Sequence, residues 1–429
     1  MTLLGNKNWL SRWEQSEVKK GMDAFSKKTR KSQTVSHTTP VLSPESVKEE
    51  PVFPSSPDNH VREKVLGLVA KYRKEVNEED LPRIMKQMKA HFDAASKGQP
   101  DGLVIDLTQE PQARVVMVGD THCDYNSLAA LLEKLAISSY NYFECGYLVF
   151  DGDYLDRGSI FFEFFLLLLD LKKLLGNRCI ILRGNHDTVV YNEFSRVLEA
   201  EVVPHETTDF INEYCWKDTE YLQKLANYLA DLPYYVLVRN KAGVDMIVHG
   251  GIPHNNYLDK VHISLDKGEL ILGEGVRKED VLHDFMWSDP CPKEDVRFQL
   301  LHSRFEFGLK QFEQFTEENG IHRIFRSHEP VENGVKSFYG NRLFTVFSNG
   351  GLSNPHTGYK EVLNPVFAII DVEGEVRFES IHLKQVVYKD GFQLHISGLY
   401  MGSLPPKEVL ELEDYHLNEE FFIVNLIRY

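Results

Sequence analysis

The hydrophobic period of the chain changes near residue 100. From 61 to 97, Val65, Leu66, Leu68, Val69 and Tyr72 recur at three- and four-residue spacing. Leu81, Ile84, Met85, Met88 and Phe92 continue the pattern. This predicts two helices joined near NEEDLP. Beyond them come short β-rich runs: ARVVMV (113–118), GYLVF (146–150), RCIILR (178–183) and VDMIVH (244–249). Helical stretches, NSLAALLEKLAI and FFEFFLLLLDLKKLLG, separate the first three. The order β-α-β-α-β predicts an α/β (α+β) fold with a partly parallel sheet buried by helices. Residues 188–231 read as a longer, mostly helical insert. The last hundred residues are strand-rich: IHRIFRS, RLFTVFS, VFAIIDV and EVRFESI.

The flanks read differently. Residues 1–31 hold eight Lys/Arg and three Asp/Glu, a net of +5, so the rest of the chain carries −21 of the total −16. Residues 32–59 are rich in Ser, Thr and Pro, and the segment 1–60 is expected to be flexible. The stretch 386–429 is an extension of unassigned role, leaving 61–385 as the main folded domain. The acidity speaks against a broad nucleic-acid-binding surface. Five cysteines, Cys123, Cys145, Cys179, Cys215 and Cys291, are odd in number with no CxxC pair. This predicts neither a disulfide framework nor a structural zinc, and points to a reducing, cytoplasmic setting. MTLLGNKNWL lacks the apolar core of a signal peptide. IFFEFFLLLL (160–169) is interrupted by Glu163 and too short for a transmembrane span, so it reads as a buried helix.

Each predicted strand runs into polar residues. They are GDTH (119–122), DGDYLDRG (151–158), RGNHD (183–187), HGG (249–251) and, after IFRS, His328. In open α/β sheets ligands collect at the carboxyl ends of strands. Asp120, His122, Asp153, Asn185, His249 and His328 should therefore converge. One such motif means little, because Asp-Gly pairs mark turns and a single histidine at a strand end is usually structural. Four in order, each after a strand, point to a site. Carboxylate, imidazole and amide oxygen together suit Mn, Fe or Zn. Six donors exceed the needs of one ion but serve two ions that share a carboxylate, an arrangement suited to in-line displacement at phosphorus. Gly119, Gly152, Gly184 and Gly250 allow tight turns beside a ligand.

These motifs resemble the metallophosphoesterase superfamily. GDYLDRG and MWSDP (286–290), with LADLPYYVLV and SRFEFG (303–308), are similar to its phosphoprotein phosphatase (PPP) branch, over roughly residues 65–375. The resemblance implies a calcineurin-like fold, a central β-sandwich flanked by helices. It implies that Asp120, His122 and Asp153 hold one divalent ion, and that Asp153 bridges to a second held by Asn185, His249 and His328. A dimetal-bound hydroxide would attack the phosphate monoester of a phosphoprotein substrate directly. His186 would act as general acid, Asp156 would orient it, and Arg157 and Arg304 would grip phosphoryl oxygens. Cys123 and Asp187 stand where the family has Gly and Glu. FSNGGLSN (347–354) lacks the Asn-Tyr-Cys stretch whose tyrosine lines such sites, and no equivalent is found. The divergence is similar to that of bacterial effector phosphatases of the Legionella Wip type, which implies a manganese-dependent tyrosine phosphatase acting in a host cell as one option. The alternatives are a nucleotide or diester phosphohydrolase of the superfamily and a metal-free pseudo-phosphatase scaffold.

Overall fold

Two β-sheets lie face to face, with helices on both outer sides. The computed structural model describes residues 60–73, 76–95, 100–296, 304–351 and 354–381, and the backbone of three later strands. The chain begins with α1 (His60–Lys71), α2 (Leu81–Ala95), β1 (Gly102–Asp106), β2 (Val115–Val118), α3 (Tyr125–Ile137) and α4 (Tyr142–Cys145). Then come β3 (Tyr147–Phe150), α5 (Phe161–Leu175), β4 (Cys179–Ile181), β5 (Val189–Asn192), β6 (Val197–Ala200), α6 (Glu206–Cys215) and α7 (Thr219–Ala230). β7 (Tyr235–Asn240), β8 (Gly243–Val248), β9 (Val261–Ile263), β10 (Leu270–Leu272), α8 (Lys278–Trp287), β11 (Asp289–Pro290), β12 (Glu306–Phe307) and α9 (Leu309–Glu318) follow. The last described strands are β13 (Arg323–Arg326), β14 (Val335–Phe338), β15 (Leu343–Val346), β16 (Val366–Ile370), β17 (Val376–Ser380), β18 (Gln385–Asp390), β19 (Gln393–Leu399) and β20 (Val409–Glu411).

One sheet has the order β17-β16-β2-β3-β4, and the other β1-β7-β8-β13-β15-β14. Successive side chains of a strand face opposite ways, and β2 shows the consequence. Val116 and Val118 join the core beneath α1–α7, whereas Val115 and Met117 join the layer between the sheets. In the second sheet Val236, Val238 and Ile247 enter that shared layer, while Tyr235, Leu237, Met246 and Val248 meet Val281 and Phe285 of α8 and Phe312 and Phe315 of α9. Helix α5 is buried from Phe161 through Leu169, and the one charged side chain in that stretch, Glu163, accepts from Val76 N at 2.6 Å. Each of the apolar side chains contributes about 1.5–3 kcal/mol.

Register aligns the loops that matter. β2 pairs in parallel with β3, Val118 opposite Phe150, and β3 with β4, Phe150 opposite Ile181. β8 pairs in parallel with β13, Ile247 opposite Phe325. All these strands therefore end on one edge. The two sheets meet there through a bridge between Asp120 and Phe347, and Gly119 N donates to Ser348 Oγ at 2.8 Å.

The insert 188–231 departs from expectation. It opens with the antiparallel hairpin β5–β6 before α6 and α7. The turn comes from local chemistry that a helical reading overlooks: Asn192 Oδ1 accepts from Phe194 N and Ser195 N, and Arg196 takes a φ of +60°. Strands β1, β7 and β14 also go beyond the runs read from sequence. The N-terminal segment expected to be flexible lies outside the described residues apart from His60. Within 386–429, β19 and β20 flank β18 in a three-stranded antiparallel sheet. No helix of the described residues is long and apolar enough to cross a membrane.

Candidate dimetal active site

The strand-end loops bring six of the predicted donors together in two sets. Asp120 Oδ2 lies 3.5 Å and Asp153 Oδ2 3.4 Å from His122 Nε2. The other oxygen of Asp153, Oδ1, lies 3.3 Å from His249 Nε2. Asn185 Oδ1 lies 2.9 Å from His249 Nε2 and 2.8 Å from His328 Nδ1. Asp153 thus presents one oxygen to each set. Six of the nine described non-glycine residues at positive φ belong to this region: His122, Cys123, Asp153, Asp156, Arg157 and His328. Such backbone strain persists where surrounding structure over-determines it. Asp187 is part of that structure, its carboxylate accepting from Asp153 N, Tyr154 N and Gly184 N at 2.9 Å each. Gly184 cannot be replaced easily, since a Cβ there would lie 2.2 Å from Asp153 Oδ1.

The donors fit divalent ions. His122 Nδ1 bonds Leu155 O at 2.7 Å and His249 Nδ1 bonds Asp151 O at 2.6 Å, which fixes both rings and turns each Nε2 toward the carboxylates. Asp120 Oδ2 is buried without a hydrogen-bond partner. An orphaned carboxylate oxygen facing an imidazole nitrogen is costly unless a cation lies between them. Burial opposes charge on Asp153, yet His249, His186 and His122 hold its carboxyl well below the usual range. Burial likewise opposes charge on His249, but Asp153 and Asp120 raise it to about 10. His328 goes the other way: burial, then His249, Arg326 and Arg304, hold it well below its ordinary value, leaving a neutral imidazole. The residues that can hold one ion are Asp120, His122 and Asp153; those for a second are Asp153, Asn185, His249 and His328.

The remaining predicted residues surround these sets. His186 Nδ1 bonds Asp156 Oδ2 at 2.8 Å, both side chains nearly inaccessible. Arg157 Nη1 stands 3.5 Å from Glu206 Oε1. Arg304 Nη2 is 2.5 Å from Asp289 Oδ2 and donates to His328 Nε2 at 2.8 Å, so the second arginine also reaches the site. Cys123 is buried, its Sγ donating to Tyr154 O at 3.0 Å. Burial pushes this thiol well up, consistent with an inert side chain.

One expectation is overturned. A tyrosine does line the site: Tyr359 Oη lies 3.2 Å from His122 Nε2, and Arg157 donates toward the same hydroxyl. The ring packs on Phe347. Tyr359 lies beyond the FSNGGLSN stretch, and its loop folds back so closely that a Cβ on Gly358 would be 2.8 Å from Arg157 O. The turn signal in HTGYK was the only sequence mark of this return. Sequence reading also missed Thr207, which meets Asp156 from α6.

A face-to-face sandwich with two adjoining donor sets at its strand ends is the architecture of a metallophosphoesterase. The chain belongs to the calcineurin-like phosphoesterase family, which it matches over residues 113–332. It is similar to a probable serine/threonine-protein phosphatase of Encephalitozoon cuniculi, 26% identical over 280 residues, which are 63% of this chain and 56% of the relative. It is 31% identical over 241 residues to the serine/threonine-protein phosphatase 4 catalytic subunit of Saccharomyces cerevisiae, covering 54% of this chain and 68% of that one. The chain thus spans little more than half the length of the first of these relatives. Among solved structures, a Saccharomyces cerevisiae serine/threonine phosphatase with similarity to human phosphatase PP5 shares the fold. Its TM-score is 0.52 at 21% identity, over 72% of this chain and 90% of that one. The likeness to PPP phosphatases read from the motifs is borne out by these relatives.

Proposed function

We propose that the protein is a divalent-metal-dependent phosphoprotein phosphatase that hydrolyses phosphoserine or phosphothreonine monoesters. The observation that carries this reading is the buried His186–Asp156 pair set beside the two donor sets, with Nδ1 committed to the carboxylate at 2.8 Å. The names of the relatives support a protein substrate bearing phosphoserine or phosphothreonine.

Divalent ions at the two sets would supply Lewis-acid stabilisation of phosphoryl charge and acidify a water molecule. The protein does the rest. Asp156 holds the imidazole of His186 by Nδ1, so Nε2 is the nitrogen that gives a proton to the leaving oxygen as its bond to phosphorus breaks. An alkoxide leaves poorly without that proton. Arg157 and Arg304 present guanidinium groups suited to phosphoryl oxygens. Tyr359 and Trp287 flank the two donor sets, Tyr359 against His122 and Trp287 edge-on to His328 with ring centroids 5.7 Å apart.

The test is phosphate release from phosphoserine, phosphothreonine and phosphotyrosine peptides by the full chain with Mn²⁺, beside Asp153→Asn and with metal content measured. Release from the first two, lost in the variant together with bound metal, is expected. Preference for phosphotyrosine would move the reading to a tyrosine phosphatase, and cleavage of a dinucleotide instead would move it to a nucleotide or diester hydrolase. A folded chain that binds no metal and cleaves nothing would make it a scaffold.

A further inference from the structure

The first turn of α6 reaches the His186–Asp156 pair from outside the strand-end loops. Asp156 and Arg157 are consecutive non-glycine residues in the left-handed region, with φ of +64° and +62°. L residues avoid this conformation unless something holds them there. A reciprocal pair of hydrogen bonds does so. Asp156 N donates to Thr207 Oγ1 at 2.7 Å, and Thr207 N donates to Asp156 Oδ1 at 3.0 Å. With Oδ1 tied to α6, Oδ2 is the oxygen left to face His186 Nδ1. Thr207 is buried, so solvent does not substitute for its hydroxyl. The preceding residue, Glu206, faces Arg157. One helical turn therefore touches both strained residues of the DRG stretch.

We infer that Thr207 is a positioning residue for leaving-group protonation. It exchanges no proton itself. Its hydroxyl and backbone N–H fix the Asp156 backbone and carboxylate so that the imidazole of His186 is held at one angle. This rests on the reading of His186 as general acid. A positioning role of this kind has a signature that simple destabilisation lacks. Phosphoserine has a poor leaving group and depends on the proton; p-nitrophenyl phosphate has a good one and hardly does.

The experiment compares Thr207→Val and Thr207→Ser with wild type in the full chain loaded with Mn²⁺. The substrates are a phosphoserine peptide, p-nitrophenyl phosphate and a series of aryl phosphates of graded leaving-group acidity. General acid–base catalysis typically contributes about 10²–10⁴-fold, so weakening it should lower kcat on the peptide by roughly 10- to 100-fold. KM should stay within about twofold, kcat on p-nitrophenyl phosphate should fall by less than about threefold, and the dependence on leaving-group acidity should steepen. Thr207→Ser should restore the peptide rate. Should the valine variant fail to fold, Thr207→Ala, which keeps the backbone arm, is judged by the same ratio. Equal losses on both substrates, or a serine variant as impaired as the valine one, would overturn the positioning role. A wild type that binds metal but hydrolyses neither substrate would instead overturn the phosphatase reading on which it rests.

Discussion

His186 can be read two ways, and replacing it separates them. Its ring meets that of His122 edge-on at 4.9 Å between centroids, and His122, Asp153 and His186 together could form a metal-binding group. The alternative is the general acid. Engagement of Nδ1 by Asp156 at 2.8 Å leaves Nε2 open to either role, as in His122 and His249. The acid is favoured because Asp120, His122, Asp153, Asn185, His249 and His328 already complete the two donor sets. In His186→Asn the backbone N–H that donates to Asp153 Oδ1 at 2.9 Å persists, so the bridging carboxylate stays anchored. The variant is therefore expected to keep the metal content of wild type. The loss should fall on the chemical step, about 10²–10⁴-fold in kcat on a phosphoserine peptide, which corresponds to about 3–5.5 kcal/mol of barrier. The assay pairs steady-state kinetics with elemental analysis of the dialysed protein. Depletion of bound metal in His186→Asn would refute the reasoning by making His186 a ligand. Retained metal with a loss under about tenfold would refute it by removing the acid role.

Other perturbations address other parts of the design. Tyr359→Phe keeps the packing on Phe347 but deletes a hydroxyl between His122 and Arg157, so thermal stability should hold while kcat/KM falls about 10- to 100-fold, the effect of losing a hydrogen bond to a charged group. Unchanged kcat/KM would remove Tyr359 from the site. Gly184→Ala forces a methyl against Asp153 and should cost about 1–3 kcal/mol of stability and deplete metal, read by thermal denaturation and elemental analysis. Away from the site, Asp170 of α5 joins the N-terminal helices, accepting from Tyr72 Oη at 2.5 Å and Lys71 Nζ at 2.9 Å, with His91 Nε2 at 2.9 Å. Burial would raise its carboxyl, but His91, Tyr72 and Lys71 hold it well below the usual range. An unfolded Asp titrates near about 3.9, so this stabilisation is complete above that pH and is lost as pH falls toward the depressed folded value. Asp170→Asn should therefore lower stability at pH 7 and flatten its decline in acid, measured by urea denaturation from pH 7 to 3; an unaltered acid profile would exclude Asp170 as a contributor.

Much of this protein is local, and the local part was legible along the chain. The short β-rich apolar runs at 115–118, 147–150, 179–181 and 243–248 became strands because alternate residues had two apolar layers to enter. The polar motifs that follow them converge because parallel register brings those strand ends to one edge. The donor types at Asp120, His122, Asp153, Asn185, His249 and His328 could thus be read before any fold was known, whereas the His186–Asp156 pair was implied only by the family resemblance.

Only tertiary structure decided the rest. Tyr359 enters the site because a loop with no hydrophobic period of its own doubles back onto the Arg157 backbone. Thr207 meets Asp156 because a hairpin built on Asn192 turns α6 toward the DRG loop. Asp187 became a brace for three backbone N–H groups through a turn whose carboxylate sequence alone marks only as acidic. These residues act through contacts made across 51 positions in Thr207 and 237 in Tyr359. Local periodicity records which face of a strand or helix is buried, and it carries no information about which distant loop will lie against it.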